Sequence, residues 1–331
     1  IENLRAKGVR VICGPAAETE TSSYDLVVLS PGIDPDSCLA QNFSSRDIET
    51  IGELELGWRA CRIPVIAITG TNGKTTTTEL VAQMLNACGQ RTVACGNIGE
   101  PLCEVVREQS EFDVQLVGWR SFQRANSRTF RQPPSLGLNF APGHLDRYSS
   151  VAEYRAAKLR IFEYQTADDV AIVNANEDLP PIAARTLSFS AYTDQADFRL
   201  ANGAIVFQNE PVLPLAEIKL RGLHNIENLM AALAVGMTRG ISFAEMAPSL
   251  SAYQPQPHRC EFIREVGGVG YVNDSKATNL DAVEKALLAQ TKPVILIAGG
   301  KDKGFTFDSL KPLIAEKARA TVLIVELAER S

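Results

Sequence analysis

Residues 69–76 read Thr-Gly-Thr-Asn-Gly-Lys-Thr-Thr, an order of residue types suited to holding a phosphate. Gly70 and Gly73 let the backbone approach an anion and turn successive N–H groups toward it. The Lys74 ammonium can reach terminal phosphates, and the Thr75 hydroxyl can ligate a magnesium ion. Thr71, Asn72 and Thr76 complete the turn. The standard loop G-x-x-x-x-G-K-[ST] needs glycine at position 68, where this chain has Ile68, so the turn is a shorter form. Its neighbours support the same chemistry. The apolar run "VIAIT" (65–69) precedes it and a helical pattern from about Lys74 to Cys88 follows. The turn therefore opens a helix whose dipole favours negative charge. It is expected to bind a nucleoside triphosphate.

Further candidates are weaker when read alone. Asn225 and Asn228 stand three apart, hence on one side of a helical stretch. Their amides suit an adenine edge, and they suit helix capping equally well. Lys158, on the amphipathic stretch 151–165, reads as one more solvated lysine, and His144 as an ordinary loop histidine.

The elements that must position these residues alternate in type. "VRVIC" (9–13) and "DLVVLS" (25–30) read as parallel strands, and "ETIGELELGWRACR" (49–62) reads as a helix. From Pro64 strands and helices alternate: "TVACG", a helix across Pro101 to Gln109, "DVAIVNAN", and a helix over 223–240. "SAYQPQPHRCEF" reads as a linker, and beyond it "VGYVNDS", "PVILIAGG" and "ATVLIVE" read as strands. Such alternation implies α/β architecture with mainly parallel sheets. Three domains are expected: an N-terminal unit over 1–62, a central nucleotide-binding domain over 63–255 and a C-terminal Rossmann-like unit over 256–331. Beginning at Ile1 and stopping just past an apolar run, the chain is expected to be a piece at both ends.

The 331 residues are 45% hydrophobic and 22% charged, ordinary for a globular protein. A net charge of −6 offers no global basic field for nucleic acid or an anionic membrane. Seven cysteines without CxxC or framework spacing suit a reducing cytoplasm. No nucleic-acid or membrane partner is expected, and the chain is expected to be a monomer.

The short form "TGTNGKTT" resembles that of the Mur ligases. "SPGI" (30–33), "GNIG" (96–99), "SFQ" (121–123), "HLDRY" (144–148), "YRAAKLRIF" (154–162), "HNIEN" (224–228), "HR" (258–259), "NDSKATN" (273–279) and "GGKDKGFTF" (299–307) follow in the order of the family's D-glutamate-adding branch. "SPGI" and "NDSKATN" are the most specific of these. The resemblance implies a three-domain fold and an ATP- and Mg2+-dependent reaction. In it a carboxylate of UDP-N-acetylmuramoyl-L-alanine is phosphorylated and D-glutamate displaces the phosphate. It assigns Lys74 and Thr75 to the γ-phosphate and one magnesium ion. Lys158 takes the place of a carbamylated lysine, and His144 stands beside a second metal. Asn225, Asn228, Arg259 and Asp274 become ATP contacts. Ser30, Pro31, Gly32, Asn97, Ser121 and Gln123 become contacts to the UDP-sugar substrate. Lys276, Thr278 and Lys303 face D-glutamate, whose two carboxylates need cationic partners.

Two departures qualify that pattern. Where the family carries a magnesium-binding glutamate this chain has Gly118, followed by Arg120 in place of a serine, and Gly143 replaces an aspartate before His144. A guanidinium about 4 Å from a divalent ion is repelled by about 8 kcal/mol at an effective dielectric of about 20. The alternative reading is therefore a nucleotide- or UDP-sugar-binding homologue with impaired metal chemistry.

Overall fold

The computed structural model of the chain describes all residues except 31, 35, 97–98, 119–132, 142–147, 149, 301–306 and 325–331. The N-terminal unit holds two short parallel strands, β1 (Val27–Leu29) and β2 (Thr50–Gly52), with Val27 opposite Thr50. Residues 9–13, expected to form a strand, form none; they lie between the short helices Glu2–Ala6 and Pro15–Glu18. A β-branched run without a neighbour to complete its ladder stays irregular. The stretch read as one helix over 49–62 divides. Thr50 and Ile51 pair with β1, and the helix begins at Glu53, where Glu53 and Glu55 favour a helix N-terminus.

The centre is a nine-stranded sheet built from β3 (Val65–Thr69), β4 (Thr92–Gly96), β5 (Val114–Gly118), β6 (Ser135–Gly137), β7 (Val170–Asn174), β8 (Arg185–Phe189), β9 (Phe198–Ala201), β10 (Ala204–Phe207) and β11 (Glu210–Pro214). Their order is β11-β10-β9-β8-β7-β6-β3-β5-β4. From β4 to β9 every pairing is parallel, as the alternating pattern implied. Beyond β9 the chain turns back twice through antiparallel pairs. Both faces of the parallel part are covered. Ile66, Ile68, Leu116 and Leu136 pack with Leu80, Met84, Leu229 and Leu233 from the helices Lys74–Ala87 and Leu223–Thr238. The alternate residues Val65, Ala67, Val117 and Ala171 pack with Leu54, Leu102, Val105 and Ile161. The period-2 alternation of strand side chains thus fills two cores with one sheet.

The C-terminal unit differs from the expectation of parallel strands. β12 (Glu261–Val266) and β13 (Val269–Asn273) form an antiparallel hairpin, so Glu261 and Phe262 belong to a strand rather than to the linker. A helix Leu280–Leu288 follows, and β14 (Val294–Gly299) pairs in parallel with β15 (Ala318–Ile324). Among the described residues no helix is long and apolar enough to cross a membrane.

Candidate active site

β3 ends at Thr69 and delivers the chain into the turn at Gly70 (φ 156°) and Gly73 (φ 83°). A Cβ at residue 70 would lie 2.9 Å from Leu138 Cβ, and one at residue 73 would lie 2.5 Å from Asn228 Oδ1. Both positions therefore require glycine. The segment after β6 holds the turn in place. Asn72 N donates to Asn139 Oδ1 (2.9 Å) and Asn139 Nδ2 donates back to Asn72 O (3.1 Å). Thr71 N donates to Asn139 O (2.8 Å), and the Thr71 hydroxyl donates to Ala141 O (2.9 Å). The helix Lys74–Ala87 then starts, placing Thr75 and Thr76 in its first turn.

Two cations meet at this turn. Lys74 Nζ donates to Gly70 O at 2.5 Å and to Thr71 O at 3.0 Å. Lys158 is 2% exposed and its Nζ donates to the same Gly70 O at 2.8 Å. It also lies 4.7 Å from the centroid of the Tyr154 ring, whose hydroxyl is 3.4 Å from Thr71 Oγ1. The helix that supplies Lys158, Val151–Leu159, is capped by Ser150, whose Oγ accepts from Glu153 N (3.1 Å). Both ammoniums donate to one oxygen, so two like charges are held close together and their repulsion is a penalty. An anion between them, or loss of one positive charge, removes that penalty.

Asn228 is buried and each end of its amide has a partner. Oδ1 accepts from Thr77 Oγ1 (3.1 Å) and Nδ2 donates to Asn225 Oδ1 (3.2 Å). Asn225 Nδ2 donates in turn to Arg221 O (2.8 Å). The pair thus ties the helix Leu223–Thr238 to the phosphate-turn helix. Beside it a small cavity bounded by Asn72, Asn139, His224, Glu227 and Lys285 adjoins a wider cleft of about 830 Å³, which shares His224 and Lys285 and includes Tyr192 and Leu288. Burial pushes the His224 imidazole down to about 4, helped by the Lys285 ammonium. Burial raises the Glu227 carboxyl, which accepts from Asn176 Nδ2 (3.1 Å) and Ala191 N (3.3 Å).

Arg259 and Asp274 stand at the junction with the C-terminal unit. Burial raises the Asp274 carboxyl, which accepts from Cys260 N (3.0 Å), while the charge of Arg259 lowers it. The same guanidinium acts on Glu79 of the phosphate-turn helix, whose carboxylate accepts from the Tyr253 hydroxyl (2.7 Å). Lys276 and Thr278 are exposed on the turn after β13. Asn279, next in sequence, reaches Asn72 through two amide hydrogen bonds. Ser30 and Gly32 follow the end of β1, exposed. Pro31, Asn97, Ser121, Gln123, His144 and Lys303, together with Arg120 and Gly143, lie outside the described residues.

Gly118 closes β5 in register with Ile68 of β3 and Gly96 of β4. It therefore stands at the strand ends beside the turn and brings no carboxylate there. Among the described residues no three His, Cys, Asp or Glu side chains gather as metal ligands. The described residues fit a polyphosphate. They do not by themselves fit a metal ion, for which the turn offers the Thr75 hydroxyl alone among the expected ligands.

The Mur ligase middle domain family matches residues 68–236, the segment that carries the turn, Lys158 and both asparagines. The UDP-N-acetylmuramoylalanine–D-glutamate ligase of Geobacter metallireducens is 39% identical across 100% of this chain and 75% of its own length. That of Geotalea daltonii is 41% identical across 92% of this chain and 70% of its own. The chain belongs to the Mur ligase family. Among solved structures, the MurF ligase of Thermotoga maritima in complex with ADP superposes with a TM-score of 0.63. It covers 92% of this chain and 86% of that one at 16% identity, which speaks for the fold alone.

Proposed function

We propose that this Mur ligase joins D-glutamate to UDP-N-acetylmuramoyl-L-alanine at the expense of ATP, as a monomer in the cytoplasm. The observation that carries the reading is the convergence of Lys74 and Lys158 on a glycine turn at a helix N-terminus. The substrate carboxylate attacks the γ-phosphorus and forms a new O–P bond as the bond to the β-phosphate oxygen breaks, releasing ADP. The amine of D-glutamate then attacks the acyl carbon and loses a proton, and inorganic phosphate leaves with the bonding electrons. Negative charge builds on the transferring oxygens, and cations fixed beforehand stabilise it without reorganising.

Lys74 and the first amides of its helix hold the terminal phosphates. Lys158 takes the place of the family's carbamylated lysine, and as a carbamate it would relieve the crowding of two cations and offer its oxygens to a cation rather than to the phosphates. Arg259 and Asp274, with Asn225 and Asn228, frame the nucleotide beyond its phosphates, and His224 and Lys285 line the cleft that receives the base. Lys276 and Thr278 face D-glutamate. With Gly118 at the strand end, no step is assigned to a metal held there.

ADP release measured with each substrate omitted in turn tests the reading. Release that needs both the UDP-sugar substrate and D-glutamate is expected. Nucleotide binding without turnover favours the binding-only homologue. That second reading rests on Gly118 and Gly143. Gly118→Glu combined with Arg120→Ser is expected to raise turnover and sharpen its magnesium requirement; no change in either would show that the charge argument at this strand end is wrong.

A further inference from the structure

Asn72 lies within the phosphate turn and carries no charge, yet it is tethered through both its backbone and its side chain. Asn139 clamps its backbone from within the central domain. Its side chain reaches the C-terminal unit, 207 residues away in sequence: Asn72 Nδ2 donates to Asn279 Oδ1 (3.3 Å) and Asn279 Nδ2 donates to Asn72 Oδ1 (3.0 Å). Asn72 Nδ2 also donates to Asp281, which pairs with Lys285 Nζ (2.9 Å). Asn279 is at the same time the N-cap of the helix Leu280–Leu288, accepting from Ala282 N at 2.9 Å. Two primary amides facing each other donor to acceptor form a pair of fixed geometry. This one joins the loop to a helix start in another unit.

We infer that Asn279 is a positioning residue for the phosphate turn, acting through Asn72. It makes the order of the C-terminal helix and the affinity for the nucleotide one coupled quantity. The inference rests on the turn being the nucleotide site. A turn held from both sides is preorganised, and a ligand then spends little of its binding energy on ordering it. Coupling of this kind is reciprocal, so nucleotide in the turn must steady the helix that holds Asn279. Lys276 and Thr278 precede Asn279 on the same turn, so whatever orders that segment is felt at the phosphates.

The test is calorimetric titration of ADP into the native chain, Asn72→Ala, Asn279→Ser and the double variant. Serine is a good N-cap, so Asn279→Ser keeps the helix start and removes only the reach to Asn72. Each single change is expected to weaken ADP binding about tenfold, on the scale of one or two amide hydrogen bonds. The double variant is expected to bind no more weakly than Asn72→Ala alone. Asn279→Asp, which keeps the cap but sets a carboxylate oxygen against Asn72 Oδ1, should lose at least as much as Asn279→Ser. Amide exchange over Leu280–Leu288 should slow when ADP binds the native chain, slow less in Asn279→Ser, which keeps the contact of Asn72 with Asp281, and stay unchanged in Asn72→Ala and the double variant. Native affinity in both single variants, or losses that multiply in the double variant, overturns the inference. A native chain that does not bind ADP at all sinks the nucleotide reading instead.

Discussion

The phosphate-turn sheet and the C-terminal strands are written in the same residues and treated oppositely. Ile66 and Ile68 of β3 and Leu116 of β5 are fully buried. Ile295 and Ile297 of β14 are 63% and 66% exposed, and Phe262 of β12 is 63% exposed. Along β14 exposure alternates, with Leu296 half-buried on one face while Ile295 and Ile297 stand in solvent on the other. β-branched runs specify an extended backbone. Only a second layer of helices turns that backbone into a rigid platform. The central strands have such layers on both faces, and the glycine turn that Lys74 and Lys158 share follows the end of one of them.

The largest expected effect falls on the platform's cation. Lys74→Ala should lower ATP turnover by about a thousandfold or more, the scale of removing a fixed charge from a phosphoryl-transfer site. ADP release measures it, and near-native release would mean that the backbone amides of the helix start suffice. Next comes the core beneath. Ile68→Ala should cost about 2–5 kcal/mol of stability by urea denaturation, as a cavity opens in a fully buried layer. A cost below about 1 kcal/mol would show that the sheet and its helices pack less tightly than they do here.

A third prediction concerns pH. His224 titrates near 6.5 when unfolded and is held down to about 4 in the fold. The unfolded chain therefore takes up a proton first, and stability is lost as pH falls from about 6.5 to about 4, by up to about 3 kcal/mol. Glu227 and Asp274, both raised by burial, bind protons earlier in the fold than in the unfolded chain and offset part of this loss. Acid denaturation of His224→Asn should be shallower than that of the native chain over that window; superimposable curves would remove His224 from the account. The smallest effect belongs to the C-terminal strands, where Ile297→Ala should change stability by less than about 0.5 kcal/mol. A loss comparable to that of Ile68→Ala would mean that this face is covered in solution.

The strand–turn–helix geometry of residues 65–87 was legible because strand, glycines, lysine and helix follow one another within some twenty residues. Lys158 was legible through resemblance alone; its own periodicity placed it among solvated lysines, and its burial against Gly70 comes from packing between distant segments. Asn139, His224, Lys285 and Asn279 went unread for the same reason. Asn139 acts on a turn 67 residues away and Asn279 on one 207 away, and no local pattern records such separations. The hairpins of β9–β11 were a different matter. Asn202-Gly203, with φ of 50° and 74°, is a two-residue turn of the kind that joins antiparallel strands. That signal stood in the sequence and the alternating pattern around it overshadowed it.

Those hairpins also decide how the central sheet ends. Its outermost strand, β11, carries Pro211 and Pro214, and its pairing with β10 shifts register between Ile205 and Val206. Proline offers no N–H to a newcomer, and the irregularity twists the strand away from a flat template. A second sheet meeting this margin finds gaps in the row of donors it would need. Extension of the nine strands from this side into a shared ladder between molecules is therefore disfavoured, which guards a crowded solution of the protein there against strand-by-strand growth.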